Sequence, residues 1–394
     1  MTVDNFPDAD VAVESIDPTT LKDRIDAGEE VFLLDTRAAD DFNQWQISGE
    51  NVEIINIPYF EFLTGDVDDE LVADIPDDRE VMVLCAKGGS SEYVAGLLKE
   101  RDYTVNHLED GMQGWARIYE SQELNADTAA TILQYQRPSS GCLAYLIISE
   151  GEAAVIDPLR AFTDEYLEDV QTHSADLTYA LDTHIHADHI SGIRALTAET
   201  GAMAVLPAPA ADRGVEYDQS YETVANGDTF TVGDVEIDVV HTPGHTTGMT
   251  AYKVGNVLFT GDGLFTESVA RPDLEDPEAA KNAAETLYES LTEKILPQAA
   301  DTIVAPAHFS DAAAPNDGTY TAALGDLQES MDALSMDRDE FVEFIVADMP
   351  PRPANYEEII ATNLGQRDTD DDEAFTLELG PNNCAASDEA LTGD

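Results

Sequence analysis

The feature that most limits the folds open to this chain is a histidine cluster in the segment Thr183–His189. The chain has 394 residues and eight histidines, and three of these histidines fall within six positions. The cluster follows the apolar segment Leu177–Leu181, where a strand leads through a loop into a helix. Such a loop brings several side chains to one point, and neutral imidazoles and carboxylates are ligands of Zn²⁺ and Fe²⁺. The segment therefore predicts a metal site at a strand end, built from His184, His186, Asp188 and His189.

Three more polar residues in the second half of the chain follow apolar strands. His245 comes after the hairpin predicted over Thr229–Val240, and Asp262 and His308 each end an apolar run. In this order the residues resemble the metallo-β-lactamase superfamily, over roughly residues 128–365. The resemblance implies an αββα sandwich with the metal at one edge. It also implies that seven residues occupy ligand positions: His184, His186, Asp188, His189, His245, Asp262 and His308.

The segment after Asp262 narrows the resemblance. Arg271-Pro272-Asp273-Leu274 is similar to the persulfide dioxygenase branch of that superfamily. The branch implies one Fe(II) per chain, held by two histidines and one aspartate, with open positions for substrate and O₂. It also implies that Arg271 lies near the substrate. Carried over, the ligands are His184, His245 and Asp262, while His186, Asp188, His189 and His308 orient ligands and handle protons.

The first half of the chain alternates short apolar strands with helices, which predicts a parallel sheet covered on both faces. One strand ends at Cys85, and the loop Ala86–Ser91 leads into a helix. Backbone N–H groups of such a loop and of a helix N-terminus stabilise an anion, so they favour a thiolate that can carry a transferred sulfur. The residues expected to bind substrate in this loop are Lys87, Gly88, Gly89 and Ser90.

The loop and its surroundings resemble a rhodanese domain, over about residues 13–121. The matching segments are Leu33–Arg37, Gln46–Gly49 and Gly111–Trp115. The resemblance implies that Cys85 carries a sulfane sulfur as a persulfide. Two departures are visible: Gln46 replaces the usual histidine, and Ser90 stands where many relatives place a second basic residue.

Composition argues against several classes of partner. The chain has 81 acidic and 19 basic residues, a formal net charge of −62. This charge would repel nucleic acids and anionic membrane surfaces. Because both halves are acidic and both contain periodic apolar segments, we interpret the charge as the surface of a folded protein, similar to proteins of salt-loving microbes. At about 1 M salt the Debye length is roughly 3 Å, so the repulsion is screened.

The remaining expectations concern organisation and location. We divide the chain into a rhodanese-like domain (1–124), a metallo-β-lactamase-like domain (125–365) and an acidic tail (366–394) that we expect to be mobile. Three cysteines are too few for a disulfide framework, and we find neither a signal peptide nor an apolar run of about 18 residues. We therefore expect a cytoplasmic protein, and the resemblance implies a homodimer. We expect Cys142 to be inert core and Cys384 to be incidental.

The favoured hypothesis joins the two halves: oxidation of a small thiol persulfide by O₂ to sulfite, with Cys85 moving sulfane sulfur toward persulfide or thiosulfate. The alternative is a thioester hydrolase similar to glyoxalase II, in which two Zn²⁺ ions use all seven ligand positions. A third reading is a sulfur-binding or redox-sensing module without an active metal site.

Overall fold

The computed structural model describes residues 11–63, 67–310, 312–347 and 349–386. The chain divides into two compact units. Unit 1 comprises Met1–Ile118 with Arg137–Ser139, and unit 2 comprises Tyr119–Gln136 with Ser140–Asp394. Within the described ranges, no helix combines the length and the apolar character needed to cross a membrane.

Unit 1 is built on a five-stranded parallel sheet of order β1-β5-β4-β2-β3. Because neighbouring strand residues point to opposite faces, Leu33 and Leu34 of β2 enter two different apolar clusters. Helix α3 packs on one face and helices α1 and α4 on the other, which confirms the predicted sheet with flanking helices. The elements are β1 (Glu14–Ile16), α1 (Pro18–Asp26), β2 (Val31–Asp35), α2 (Ala39–Gln44), β3 (Val52–Asn56), β4 (Val81–Leu84), α3 (Gly89–Glu100), β5 (Val105–Leu108) and α4 (Gly111–Trp115).

The first sheet of unit 2 has seven strands in the order β12-β11-β10-β9-β8-β7-β6. Strands β9 to β12 are parallel, so their carboxyl ends meet at one edge, where polar loops can converge. The elements are β6 (Glu120–Glu123), β7 (Thr131–Arg137), β8 (Cys142–Ser149), β9 (Glu152–Ile156), α5 (Thr163–Thr172), β10 (Asp176–Leu181), α6 (Ile193–Thr200), β11 (Met203–Pro207), α7 (Ala208–Ala211) and β12 (Tyr221–Val224).

The second sheet of unit 2 has six strands in the order β13 to β18, and contains the hairpin predicted over Thr229–Val240 and a second hairpin. Val232 pairs with Val235 across the first turn, and Val254 pairs with Val257 across the second. The elements are β13 (Thr229–Val232), β14 (Val235–His241), β15 (Thr250–Val254), β16 (Val257–Gly261), α8 (Ala280–Ser290), β17 (Ile303–Pro306), β18 (Ala322–Ala323), α9 (Leu324–Ser330), α10 (Arg338–Ala347), α11 (Tyr356–Asn363) and α12 (Asp371–Leu377).

The two sheets of unit 2 pack face to face through an apolar layer. Tyr145 of the first sheet and Phe259 of the second lie with ring centroids 4.8 Å apart within this layer. Helices α5 and α6 cover the outer face of the first sheet, and helices α8 to α10 cover that of the second. The arrangement confirms the expected αββα sandwich.

The segment after Gln366 is a correction to the expected mobile tail. Asp370 accepts a hydrogen bond from the Glu373 N–H (2.8 Å), which caps α12. Phe375 is buried, and Ala385 pairs with Ala270 in an antiparallel bridge. Local acidity suggested a solvated tail because the apolar residues that anchor it are few and widely spaced. Residues 387–394, which the same expectation covers, lie outside the described residues.

The packing of α12 predicts a measurable loss on truncating Phe375. Phe375→Ala should lower the free energy of unfolding of unit 2 by about 3 kcal/mol, because it removes a buried ring and leaves a cavity. Thr376→Ala, at the exposed neighbouring position, is the matched control. Urea titrations of both variants would measure the difference. Equal stability of the Phe375 variant and the wild type would restore the mobile-tail interpretation.

Candidate metal centre and sulfur-carrier loop

Asp157 holds the start of the loop that carries the histidine cluster. Asp157 follows β9 in a left-handed conformation (φ 52°) and faces the start of the loop after β10. Its carboxylate accepts hydrogen bonds from the Thr183 N–H (2.6 Å) and the Thr183 hydroxyl (2.9 Å). Two neighbouring parallel strands therefore fix where the cluster begins.

Asn363, at the end of α11, holds the same loop from its other side. Its amide donates to the carbonyl oxygens of His186 (3.0 Å) and His189 (2.8 Å), and its oxygen accepts the Ser191 N–H (2.9 Å). Sequence reasoning missed Asn363, because a single asparagine more than 170 residues away carries no local signal. The buried Glu378, in the segment expected to be mobile, adds a hydrogen bond from the Ile190 N–H (3.0 Å).

Three of the predicted ligands have one atom each at a common point: two histidine nitrogens lie close to one carboxylate oxygen. His184 Nε2 lies 3.5 Å from Asp262 Oδ2, and His245 Nε2 lies 3.4 Å from the same atom. All three side chains are buried, and none of these three atoms has a hydrogen-bond partner among the described residues. Leaving buried polar atoms unpaired is costly, and a cation between them would satisfy all three. The donor set therefore fits a metal ion held by His184, His245 and Asp262.

Hydrogen bonds on the far side of each imidazole direct the bare nitrogen toward that point. Thr183 gives its hydroxyl hydrogen to Asp157, so its oxygen accepts the Nδ1–H of His184 (2.9 Å). The Nδ1–H of His245 donates to the carbonyl oxygen of Arg271 (2.8 Å). In both rings Nε2 is left with its lone pair, which is the tautomer that binds metal.

Burial sets the protonation states that metal binding requires. Burial, reinforced by the neighbouring His186, lowers the pKa of His184 to about 4, and burial also lowers the pKa of His245. Burial alone would raise the pKa of Asp262, but the adjacent His308 and His184 hold that pKa well below its usual range. Two neutral imidazoles and one carboxylate result.

The other four predicted residues lie beside this point, in a network of their own. His308 uses both ring nitrogens on carboxylates: Nδ1 lies 2.5 Å from Asp262 Oδ1, and Nε2 lies 2.7 Å from Asp188 Oδ2. His189 Nδ1 contacts the same Asp188 oxygen (3.1 Å), while His186 Nε2 contacts Asp157 (3.1 Å). The structure thus brings all seven predicted residues together, in two differently bonded groups.

The guanidinium of Arg271, which the resemblance places near the substrate, is paired with other protein groups. Arg271 is buried, and its guanidinium pairs with Asp273 (2.7 and 3.1 Å) and donates to the carbonyl oxygens of Pro351 (2.8 Å) and Asn383 (3.0 Å). Its role is that of a brace, since its own carbonyl orients His245 and its N–H donates to Cys384 O (3.1 Å). The arginine was recognisable in the sequence, but two of its partners, Asn383 and Cys384, lie in the segment expected to be mobile.

Both cysteines of unit 2 adjoin the centre: Cys142 belongs to the apolar core as expected, whereas Cys384, expected to be incidental, is buried beside Asp262 and His308. Cys142 Sγ lies 3.2 Å from Asp188 Oδ2. Cys384 lies with its sulfur within 4.8 Å of ligand atoms of Asp262 and His308. Burial, together with the charges of Asp188 and Asp262, raises the pKa of the Cys384 thiol well above its usual value.

In unit 1, the loop after β4 wraps around the sulfur of Cys85. The Gly88 N–H donates to Cys85 Sγ (3.1 Å), and the buried Ser91 hydroxyl lies 3.3 Å from the same sulfur. Ser91 was not among the predicted residues, although it lies next to Ser90 in the sequence. Of the predicted group, Gly88 contacts the sulfur directly, and Lys87 is exposed to solvent.

Glycine is required where α4 begins against this loop. Gly111 has φ +55°, and a Cβ there would stand 2.0 Å from the carbonyl oxygen of Cys85. The same carbonyl accepts the Met112 N–H (2.7 Å), and the Ala86 carbonyl accepts the Gln113 N–H (3.1 Å). The position of the sulfur is thereby fixed from the side of α4.

Comparison with known proteins agrees with this geometry. Residues 17–118 match the rhodanese-like domain, and residues 138–308 match the metallo-beta-lactamase superfamily. The mitochondrial persulfide dioxygenase ETHE1 of Homo sapiens is 30% identical over 200 residues, which cover 49% of this chain and 74% of that protein. The chain belongs to the persulfide dioxygenase family. The Bos taurus ETHE1 is 26% identical over 251 residues, covering 62% of this chain and 91% of that protein.

Other relatives show how far the family resemblance extends. A hydroxyacylglutathione hydrolase from Rhodospirillum rubrum is 36% identical over 123 residues, which cover 31% of this chain and 46% of the hydrolase. Among solved structures, ETHE1 from Myxococcus xanthus aligns with a TM-score of 0.51 and 26% identity, covering 63% of this chain and all of that one. A metallo-beta-lactamase from Staphylococcus aureus aligns with a TM-score of 0.54 and 26% identity, covering 60% and 72%.

The bracing role of Arg271 predicts that its loss weakens metal binding in this persulfide dioxygenase family member. Arg271→Gln should weaken metal affinity about 10–100-fold. Without the guanidinium contacts, the backbone carbonyl of residue 271, which orients the His245 ring, is no longer held in place. Arg367→Gln, which removes a surface arginine paired with Glu373, is the matched control. Metal retained against a competing chelator gives the measurement. Wild-type retention by the Arg271 variant would show that the carbonyl is held by other contacts.

Proposed function

We propose that the chain oxidises a low-molecular-weight thiol persulfide with O₂, and that Cys85 transfers sulfane sulfur in the same chain. The oxidation converts RSSH, O₂ and water into RSH, sulfite and two protons. In the transfer, the Cys85 persulfide passes its outer sulfur to sulfite, which gives thiosulfate and regenerates the thiolate. The reverse transfer would instead supply persulfide.

The observation that carries the proposal is the bonding of His308. A second metal ion in this fold would need a free nitrogen of His308, but both nitrogens already contact carboxylates of Asp188 and Asp262. The unpartnered atoms of His184, His245 and Asp262 form a separate group of three. Two imidazoles, one carboxylate and open positions are the ligand set of non-haem iron(II) oxygenases, so we propose one Fe(II) per chain.

Bound there, Fe(II) would supply the redox chemistry with O₂ that no side chain of the site can provide. The residues of the chain supply the rest. Because the reaction releases two protons, groups that hold protons must lie beside the reacting atoms. His308 is placed for this role, with Nδ1 facing the ligand Asp262 and Nε2 facing Asp188. The buried centre also excludes bulk water from the ligands.

A second candidate function is thioester hydrolysis with two Zn²⁺ ions. Hydroxyacylglutathione hydrolases are among the relatives, and Asp188 Oδ1, His189 Nε2 and His186 Nδ1 also lack hydrogen-bond partners. If the hydrogen bond between His308 and Asp188 opened, Asp188, His189 and His308, whose ligand atoms lie within 4.8 Å of one another, would form a second metal site. The bonding of His308 favours the single-metal reading, and metal stoichiometry separates the two.

The distinguishing experiment loads the full chain anaerobically with Fe(II) or Zn(II), in high salt. We expect one iron per chain and O₂ uptake on adding glutathione persulfide, with sulfite as product. His245→Ala should abolish uptake, while His173→Ala, at an exposed histidine, should not change it. Two zinc ions per chain, hydrolysis of lactoylglutathione and no O₂ uptake would establish the hydrolase instead. If the chain bound no metal and showed neither activity, the remaining interpretation would be a sulfur-binding module.

The two sites should be separable by mutation. Cys85→Ser should abolish sulfur transfer from thiosulfate to cyanide, because it removes the nucleophilic sulfur, and should leave O₂ uptake largely intact. Rates of both reactions on the same preparation provide the measurement, and Cys142→Ser serves as a cysteine control for sulfur transfer. Parallel loss of both activities in the Cys85 variant would contradict the two-site account.

A homodimer, a cytoplasmic location and adaptation to high salt stay predictions from the sequence.

A further inference from the structure

We propose that Ser91 is a catalytic residue for sulfur transfer at Cys85, acting as a hydroxyl that changes its hydrogen-bond partner with the charge of the sulfur. The inference rests on the proposed sulfur-transfer function and deepens it. It concerns the first turn of α3, where the family resemblance pointed to charged and backbone groups of the loop rather than to this side chain.

The hydroxyl of Ser91 lies between two groups that can each accept its hydrogen. Its oxygen lies 3.3 Å from Cys85 Sγ and 2.9 Å from the carbonyl oxygen of Gly88. A serine has one hydroxyl hydrogen, which can serve only one acceptor at a time. While Cys85 is a thiol, its S–H donates to the Ser91 oxygen, and the Ser91 hydroxyl donates to the carbonyl oxygen of Gly88.

When the sulfur becomes an anion, the hydrogen bond between Cys85 and Ser91 must reverse its direction. A thiolate has no hydrogen to give and needs donors, and the Gly88 N–H at 3.1 Å supplies one. Ser91 supplies the second by turning its hydrogen to the sulfur. The Gly88 carbonyl loses little, because it still accepts the Glu92 N–H at 3.1 Å. The switch therefore leaves no buried acceptor unpaired.

Other groups of the loop are hydrogen-bonded elsewhere or exposed to solvent. The carbonyls of Cys85 and Ala86 are held by N–H groups of Met112 and Gln113, and Cys85 is buried. Lys87, the cation of the loop, is exposed to solvent. Where many relatives have a second basic residue, this chain has Ser90. A neutral hydroxyl at Ser91 thus takes over part of the stabilisation that charge would provide.

The step that Ser91 assists is balanced. The Cys85 thiolate attacks the outer sulfur of thiosulfate, the new S–S bond forms as the old one breaks, and sulfite leaves with its electron pair. The products are Cys85–S–S⁻ and SO₃²⁻, so the total charge of −3 is unchanged. The Ser91 hydrogen stabilises the thiolate before the attack and returns to it when cyanide or sulfite removes the outer sulfur.

The test compares Ser91→Ala with Thr36→Val, which removes one buried hydroxyl of unit 1 while the Leu84 carbonyl that it contacts keeps the Thr36 N–H. The first readout is the rate of Cys85 alkylation by iodoacetamide against pH, followed on the Cys85 peptide by mass spectrometry. We expect the half-maximal pH to rise by about one unit in Ser91→Ala, which loses one hydrogen bond to a charged group, and to stay unchanged in Thr36→Val. The second readout is sulfur transfer from thiosulfate to cyanide, which should fall about tenfold at neutral pH and recover at alkaline pH.

Ser91→Thr keeps the hydroxyl and should restore the wild-type midpoint, which separates hydrogen bonding from packing. An unchanged alkylation profile in Ser91→Ala, with normal transfer in the wild type, would overturn the inference while the proposed function stood. If the wild type transferred no sulfur, the proposed function of Cys85 would fail, and the catalytic assignment of Ser91 with it. A raised alkylation midpoint in Ser91→Ala would then show only that the hydroxyl stabilises the thiolate.

Discussion

The candidate metal centre of unit 2 depends on three buried atoms that form no hydrogen bond within the described part of the chain. The Nε2 atoms of His184 and His245 lie 3.4–3.5 Å from Asp262 Oδ2, and all three side chains are buried. A folded chain tolerates such a cost only where a ligand offsets it. A metal cation meets the need of all three, and much of the surrounding structure holds them in place.

The supports of these three residues come from distant parts of the chain. Asp157 fixes the start of the histidine loop, Asn363 fixes its carbonyls, and Arg271 fixes the ring of His245. Each acts through a backbone group of the site or of its immediate neighbour. Ligand residues supported in this way are held to a single tautomer and orientation, which metal affinity requires. The residues after Gln366 take part through Glu378 and Cys384.

The sequence could predict the candidate ligands but not the distant residues that hold them in place. The seven polar residues were predictable because they lie in the loops that follow four strands, and because their order matches a known family. Asn363 was not predictable, since one asparagine contacting two carbonyls leaves no spacing pattern. Arg271 was placed near the substrate by the family resemblance, and its contacts with Asn383 and Cys384 were not predictable because local charge described their segment as mobile. Ser91 was missed for a similar reason: its importance lies in a 3.3 Å distance to Cys85 Sγ, not in its residue type.

The central claim is that the centre holds one metal ion on His184, His245 and Asp262, with His308 hydrogen-bonded between two carboxylates. Anomalous diffraction from crystals of the iron-loaded chain, collected on both sides of the iron edge, tests this claim directly. We predict one anomalous peak per chain, in contact with His184 Nε2, His245 Nε2 and Asp262 Oδ2, and His308 still between Asp188 and Asp262. A second peak of comparable height in contact with Asp188, His189 and His308 would contradict the account.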